Sequence, residues 1–186
     1  MIDGRPARVR RALTPELATE DLTAIRALLE RAFGDEPEER LEEEDWRHAL
    51  GGLHVLVELD GTIVGHAAVV ERELHVAGRP LRTGYVEAVA TEPSLQGRGL
   101  GTVAMREVAA HIEASYELGA LGTGEHRFYE RLGWRTWRGP SSVRTPTGEV
   151  RTPDEDGYIL VLATPSSPPL DLDAPISCDW RPGDVW

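Results

Sequence analysis

The chain has 186 residues, enough for one domain of ordinary size that buries a core without disulfide or metal staples. Its 32 acidic residues against 20 basic ones, every base an arginine, leave a formal charge of −12. This balance argues against a nucleic-acid binder, which needs a basic face, and favours a cationic partner or solubility alone. In chain order, residues 8–13 read as a short first strand. Thr14-Pro15 signals a helix start, and Leu22, Ile25, Leu28, Leu29 and Phe33 follow at the spacing of one apolar helical face. Residues 41–50 predict a second helix with Trp46 and Leu50 on one side. A hairpin follows: 53–59, the turn Asp60-Gly61, then 62–76. A third strand rises from about Leu81 to Thr91, and a glycine-rich turn at 96–101 opens a helix over 100–116. Leu100, Ala104, Val108 and Ile112 form the stripe of that helix. A strand near 118–122, a short helix near 125–132 and strands around 134–138 and 157–163 complete a mixed α+β sheet domain. Residues 164–186 read as irregular, with Ile176, Trp180 and Trp186 as material for packing.

The acidity is concentrated. Residues 35–45 carry eight acids and Arg40, and residues 154–186 carry seven acids and Arg181. Such runs are either solvated faces or parts of a site for a cation. Cys178 is alone, so no internal disulfide is available, and the six histidines (48, 54, 66, 75, 111, 126) show no pairing at metal-ligand spacing; no metal is expected. The first residues lack a signal-peptide core, and no apolar run approaches the roughly 20 residues that span a bilayer. A cytoplasmic protein without membrane or nucleic-acid partners is expected.

Gln96-Gly97-Arg98-Gly99-Leu100-Gly101 sits between an apolar strand and an amphipathic helix. Glycines there let backbone N–H groups converge, the helix start adds partial positive charge, and Arg98 can add a full one. A nucleotide P-loop is ruled out because no Gly-Lys-Ser/Thr follows. A dinucleotide fingerprint on Gly99, Gly101 and Ala104 lacks its parallel strand–helix–strand setting. A plain flexible turn and a pyrophosphate cradle remain. Gln-x-x-Gly-x-Gly after a central strand, with Tyr129 and an aromatic-rich strand following, resembles the GCN5-related N-acetyltransferases (GNAT). The resemblance implies a GNAT fold, a central mixed and mostly antiparallel sheet flanked by helices. It implies a domain over 1–163 and a tail over 164–186 that packs on it and contributes to the substrate site. It also implies acetyl-CoA as co-substrate. Val89, Ala90 and Thr91 would meet the thioester and pantetheine, Gln96, Gly97, Arg98, Gly99, Leu100 and Gly101 the pyrophosphate, and Gly122 and Thr123 the pantetheine. The Gly122-Thr123-Gly124 turn is about two residues shorter than the family pattern.

Further segments are similar to one branch of that family, the aminoglycoside 2'-N-acetyltransferases. They are Asp45-Trp46-Arg47-His48-Ala49-Leu50-Gly51-Gly52, Gly84-Tyr85-Val86-Glu87, Arg151-Thr152-Pro153-Asp154-Glu155-Asp156-Gly157 and the ending Cys178-Asp179-Trp180-Arg181-Pro182-Gly183-Asp184-Val185-Trp186. The branch implies acetylation of an aminoglycoside 2'-amine by direct attack in a ternary complex, antibiotic resistance and a homodimer. By strand alternation Glu87 shares a face with Tyr85 and Val89, opposite Val86, Ala88 and Ala90. A carboxylate in so apolar a strand is either structurally paired or functional. The resemblance makes Glu87 the acceptor of the amine proton, the Val89 N–H the oxyanion donor and Tyr129 the acid for the departing thiolate. It places Asp35, Glu87, Ala88, Asp154, Glu155, Asp184 and Trp186 around the substrate. The 35–45 stretch is longer than the family spacing, so Glu36 or Glu38 could stand in for Asp35, and Glu155 stands where an Asp is expected. Trp180 and Trp186 could instead simply anchor the tail. Two other functions fit the same residues: an acetyltransferase for another small-molecule or protein amine, and a non-catalytic acetyl-CoA sensor. The presence of both Glu87 and Tyr129 weighs against the sensor.

Overall fold

A computed structural model describes residues 6–34 and 41–186; the site candidate Asp35, and its stand-ins Glu36 and Glu38, lie outside the described residues. The chain forms two compact units. One holds the residues up to Val70 and Val86–Val108, and the other holds Glu71–Tyr85 and Ala109–Trp186.

In the first unit, β1 (Ala7–Leu13) pairs antiparallel with β2 (Leu53–Leu59), and β2 with the first part of β3 (Thr62–Val76). Asp60 and Gly61 join β2 to β3 with φ of 50° and 79°, the left-handed pair that a two-residue hairpin turn requires. A bulge between Val57 and Glu58 then shifts the register by one residue. The second part of β4 (Arg79–Thr91) and the start of α3 (Leu100–Ser115) also belong here.

Helix α1 (Thr19–Phe33) begins later than Thr14-Pro15 suggested, because that pair forms only one 3-10 turn over Thr14–Glu16. The Asp21 carboxylate instead accepts the Ala18 amide at 3.3 Å and caps α1. Its stripe of Ile25, Leu28 and Leu29 is fully buried against Trp46 of α2 (Glu43–Ala49), Leu56, Ile63 and Ala90. Arg10 ties sheet to helix, donating to Asp21 at 2.7 and 3.0 Å and to Glu58 at 2.9 Å.

The second unit is a sheet in the order β6-β9-β5-β4-β3-β10-β7-β8. Here β5 (Leu118–Gly122) runs parallel to β4 at Thr83–Tyr85, and β9 (Ile159–Ala163) lies antiparallel to β5 and to β6 (Arg135–Thr136). The short α4 (His126–Glu130) follows β5. Three further strands lie in the C-terminal third: β7 (Ser141–Thr145) and β8 (Gly148–Arg151), which the sequence reading leaves unassigned, and β10 (Ile176–Asp179), which contradicts the irregular reading of 164–186. Within the supposedly irregular tail, β10 runs antiparallel to β3 and parallel to β7. These strands are only four or five residues long, too short for a periodic pattern to stand out, and β7 and β10 carry serines. Their buried hydroxyls are satisfied by side chains: Ser141 by Asp156, Ser142 by Glu149 and Ser177 by Arg144.

Candidate functional site

The candidate residues divide between the units. In the first unit, the alternation of β4 stops at Ala88, whose φ of 51° is left-handed. For a residue with a Cβ that conformation costs on the order of 1 kcal/mol and kinks the strand. The expectation that Ala88 sits regularly on the face of Val86 and Ala90 is therefore corrected. Glu87, Ala88 and Val89 form a partly exposed triplet between buried Val86 and Ala90. Thr91 is also partly exposed.

The carbonyl of Ala88 accepts from His66 Nδ1 at 2.7 Å. Behind it His66 Nε2 lies 2.9 Å from His54 Nδ1, and His54 Nε2 lies 2.8 Å from Thr14 Oγ1. Both rings are wholly buried. Burial holds His54 down to about 4, and burial together with its neighbour His54 holds His66 down to about 3, so both are neutral at physiological pH. Neither histidine stands out as a candidate in the sequence, where the histidines show no metal-ligand spacing.

Gly97 and Gly99, with φ of 74° and 86°, shape an exposed turn of Gln96, Gly97, Arg98 and Gly99. A side chain at either glycine would meet open space, so the left-handed backbone alone explains the glycines. Leu100, 1 % exposed, pins the helix start, and the Val103 amide donates to the Gly99 carbonyl at 3.0 Å to close the first turn of α3. The earlier amides of that turn, those of Leu100 and Gly101 included, have no acceptor within the helix. This is an anion-binding arrangement suited to phosphate.

In the second unit, Tyr129 on α4 is 7 % exposed, its ring packed edge-on to Phe128 and Trp134. Burial first, then the charge of Glu125, pushes its phenol up to about 12, so it carries its proton at neutral pH. Gly122 ends β5 beside the chain terminus: a methyl there would stand 3.7 Å from the terminal carbonyl carbon of Trp186. The Thr123 hydroxyl accepts the Glu125 amide at 3.0 Å and so shapes the turn into α4.

The C-terminal segment is held firmly. The Trp186 indole is buried and donates to Thr152 Oγ1 at 3.0 Å, while its amide donates to Asp184 Oδ1 at 3.1 Å. Arg72 donates to the Val185 carbonyl at 2.8 Å and stacks on Tyr85 at 4.6 Å; Arg181 donates to the Asp184 carbonyl at 2.7 Å. Trp186 thus anchors the tail, whereas Trp180, 57 % exposed, does not. Asp154 and Asp184 are exposed and Glu155 is partly buried. Burial, then the charges of Asp184 and Asp154, raises the Glu155 carboxyl above its ordinary value, so the structure does bring these three acids together. Asp156, the last acid of the loop, belongs to the framework, accepting from Arg151 at 2.7 Å and from Ser141 at 2.8 Å.

The sequence model described as the acetyltransferase (GNAT) domain matches residues 15–137. An aminoglycoside 2'-N-acetyltransferase from Mycolicibacterium fortuitum is 40% identical over 178 residues, covering 93% of this chain and 89% of that protein. Among solved structures, the GNAT family N-acetyltransferase YhbS from Escherichia coli, in complex with CoA, aligns with a TM-score of 0.63 at 17% identity, covering 96% of this chain and 92% of that one. A GNAT family acetyltransferase from Brucella melitensis, in complex with acetyl-CoA, gives 0.61 at 21% identity, covering 89% and 93%. At such identities the two structures speak to the fold.

Proposed function

The chain belongs to the GCN5-related N-acetyltransferases, and we propose that it transfers the acetyl group of acetyl-CoA to the 2'-amine of an aminoglycoside. The relative from M. fortuitum supports the acceptor, and the CoA-bound neighbours of the same fold support the donor. One observation carries the substrate class: Glu155, its carboxyl raised by burial and then by the charges of Asp184 and Asp154, forms an acidic group with them. A polycation relieves that repulsion on binding, and its ammonium and hydroxyl groups match carboxylate acceptors.

In the proposed reaction Glu87 accepts, through one water, the proton that the 2'-ammonium sheds. The Val89 N–H donates to the thioester oxygen as it gains charge under attack by the amine nitrogen. As the C–N bond forms and the C–S bond breaks, Tyr129 supplies the proton that the thiolate takes; its high pKa keeps that proton available. Gln96, Arg98 and the amides through Gly101 hold the pyrophosphate, and Val89, Ala90, Thr91, Gly122 and Thr123 border the rest of the co-substrate. Ala88, Asp154, Glu155, Asp184 and the carboxylate of Trp186 hold the antibiotic. Resistance, a homodimer and a cytoplasmic location belong to the same proposal and rest on the family likeness. No helix among the described residues is long and apolar enough to cross a membrane.

The test is a chemical contrast. Tobramycin, which has a 2'-amine, should gain one acetyl group with release of CoA, and kanamycin A, with a hydroxyl there, should not. Mass spectrometry of the products reads both, and equal turnover of the two, or of neither, overturns the assignment.

A further inference from the structure

We propose that His54 and His66 are positioning residues, joined in a one-way hydrogen-bond chain from Thr14 to the Ala88 carbonyl that fixes the kinked Glu87–Ala88–Val89 segment. The proposal rests on the reading above for what Glu87 and Val89 do.

The direction of the chain follows from the atoms. A carbonyl oxygen only accepts, so His66 carries its proton on Nδ1, 2.7 Å from Ala88 O. A neutral imidazole has one N–H, so His66 Nε2 is a lone pair and accepts from His54 Nδ1–H at 2.9 Å. His54 Nε2 is then also a lone pair and accepts the Thr14 hydroxyl proton at 2.8 Å. The Thr14 oxygen in turn accepts the Gly51 amide at 2.8 Å. The Gly52 carbonyl, 3.3 Å from the same hydroxyl, is supplied by the Thr14 amide at 3.1 Å, which leaves the hydroxyl proton for His54. Every donor meets one acceptor, and only one tautomer of each ring completes the chain.

A chain that ends on a peptide carbonyl cannot deliver a proton, so its work is geometric. It ends at the one residue of β4 with a left-handed φ, between the proposed base and the proposed oxyanion donor. Protonating His66 on Nε2 would turn its N–H against the Nδ1–H of His54, and the lowered pKa values of both rings agree with a chain that stays neutral. The hydrogen bonds of the two rings run to the Ala88 carbonyl, the Thr14 hydroxyl and each other.

Nitrogen-15 NMR of the ring nitrogens in the full wild-type chain tests the direction. Both histidines should show Nδ1–H and a bare Nε2, unchanged from pH 8 to pH 6. The opposite tautomer in either ring, or titration of either within that range, overturns the proposal. The role is tested with His66→Leu, which has no donor, and His66→Asn, whose amide nitrogen can occupy the Nδ1 position. With tobramycin, His66→Leu should lose about 10- to 100-fold in kcat, the scale of a misplaced reacting group, with KM for acetyl-CoA unchanged. The backbone amide signals of residues 87–89 should move with it, and His66→Asn should restore most of both. Equal losses in the two variants, or a loss matched by the unfolded fraction alone, refute positioning. Should the wild type acetylate no 2'-amine, the functional reading falls, while the tautomers and the amide signals still decide whether the chain holds this segment.

Discussion

The proposed reaction needs Glu87 and Tyr129 in opposite protonation states, and Tyr129 is held in the protonated one. Tyr129 keeps its proton because it is buried beside Trp134 and faces the charge of Glu125. Replacing it with Phe leaves the edge-on packing intact and removes only the O–H, so stability should change by less than about 1 kcal/mol. Both Tyr129→Phe and Glu87→Gln should lower kcat by about 10²- to 10⁴-fold, the usual range for a lost general acid or base. The glycine turn is untouched in either variant, so calorimetry should find CoA affinity unchanged. Full activity in either variant would remove that residue from its role. Glu87 stands out in the sequence as a lone carboxylate in an apolar strand, whereas Tyr129 is singled out only by the family resemblance. The histidines behind Ala88 are marked by neither. Counted from the Asp60-Gly61 turn, with Leu59 opposite Thr62, His54 and His66 fall on opposite faces of the hairpin. Only the bulge at Val57/Glu58, which sets Leu56 opposite His66 and His54 opposite Ala68, brings both rings to one face. Nothing in the residue types announces that bulge.

At the scale of elements, the tail is a strand and an anchor rather than a loose acidic arm. Ile-Ser-Cys-Asp becomes β10 because its neighbours β3 and β7 supply the ladder and Arg144 satisfies Ser177, a context that no local pattern encodes. The charge cluster itself was legible; its division of labour was not, since Asp156 is spent on Arg151 and Ser141 while Glu155 and Asp184 confront each other. Charge and anchoring can be separated experimentally. In Asp184→Asn the amide oxygen still accepts the Trp186 N–H, so the melting temperature should hold within a degree or two. Removing one charge from the cluster should raise KM for tobramycin about 10-fold, the weight of one charge-assisted contact, and leave KM for acetyl-CoA alone. Deleting residues 184–186 should instead cost both binding and stability. It strips out a buried indole, a change on the order of 3 kcal/mol for a large aromatic side chain. If the truncated enzyme keeps wild-type KM for tobramycin, the tail is not part of the antibiotic site.

For the molecule as a whole, the neutral histidine pair predicts how stability follows pH. Both groups have folded pKa values below the ordinary 6.5, at about 4 and about 3, so the unfolded chain takes up these protons first. Their contribution is therefore complete above pH 6.5 and is lost as pH falls from there towards 4 and 3, by about 1.4 kcal/mol per unit for each histidine. The carboxylates work in a lower window. Asp21 and Asp156, held down chiefly by their bonds to Arg10 and Arg151, contribute above their ordinary value of 3.8 and lose that contribution as pH falls below it. A net charge of −12 acts in the other direction, because acid relieves self-repulsion in the folded state. The histidine effect is thus clearest as a difference. Urea unfolding of the wild type and of the His54→Asn/His66→Asn double variant should be compared at pH 7.5, 6.5, 5.5 and 4.5. The background of carboxylates and net charge is common to both proteins and cancels between them. The wild type should lose roughly 2 kcal/mol more than the variant between pH 6.5 and 5.5, and less than about 1 kcal/mol more between 7.5 and 6.5. Parallel curves over the whole range would mean that the two imidazoles titrate alike in the folded and unfolded chain. That would contradict a buried, neutral pair whose single pattern of protons depends on staying out of water.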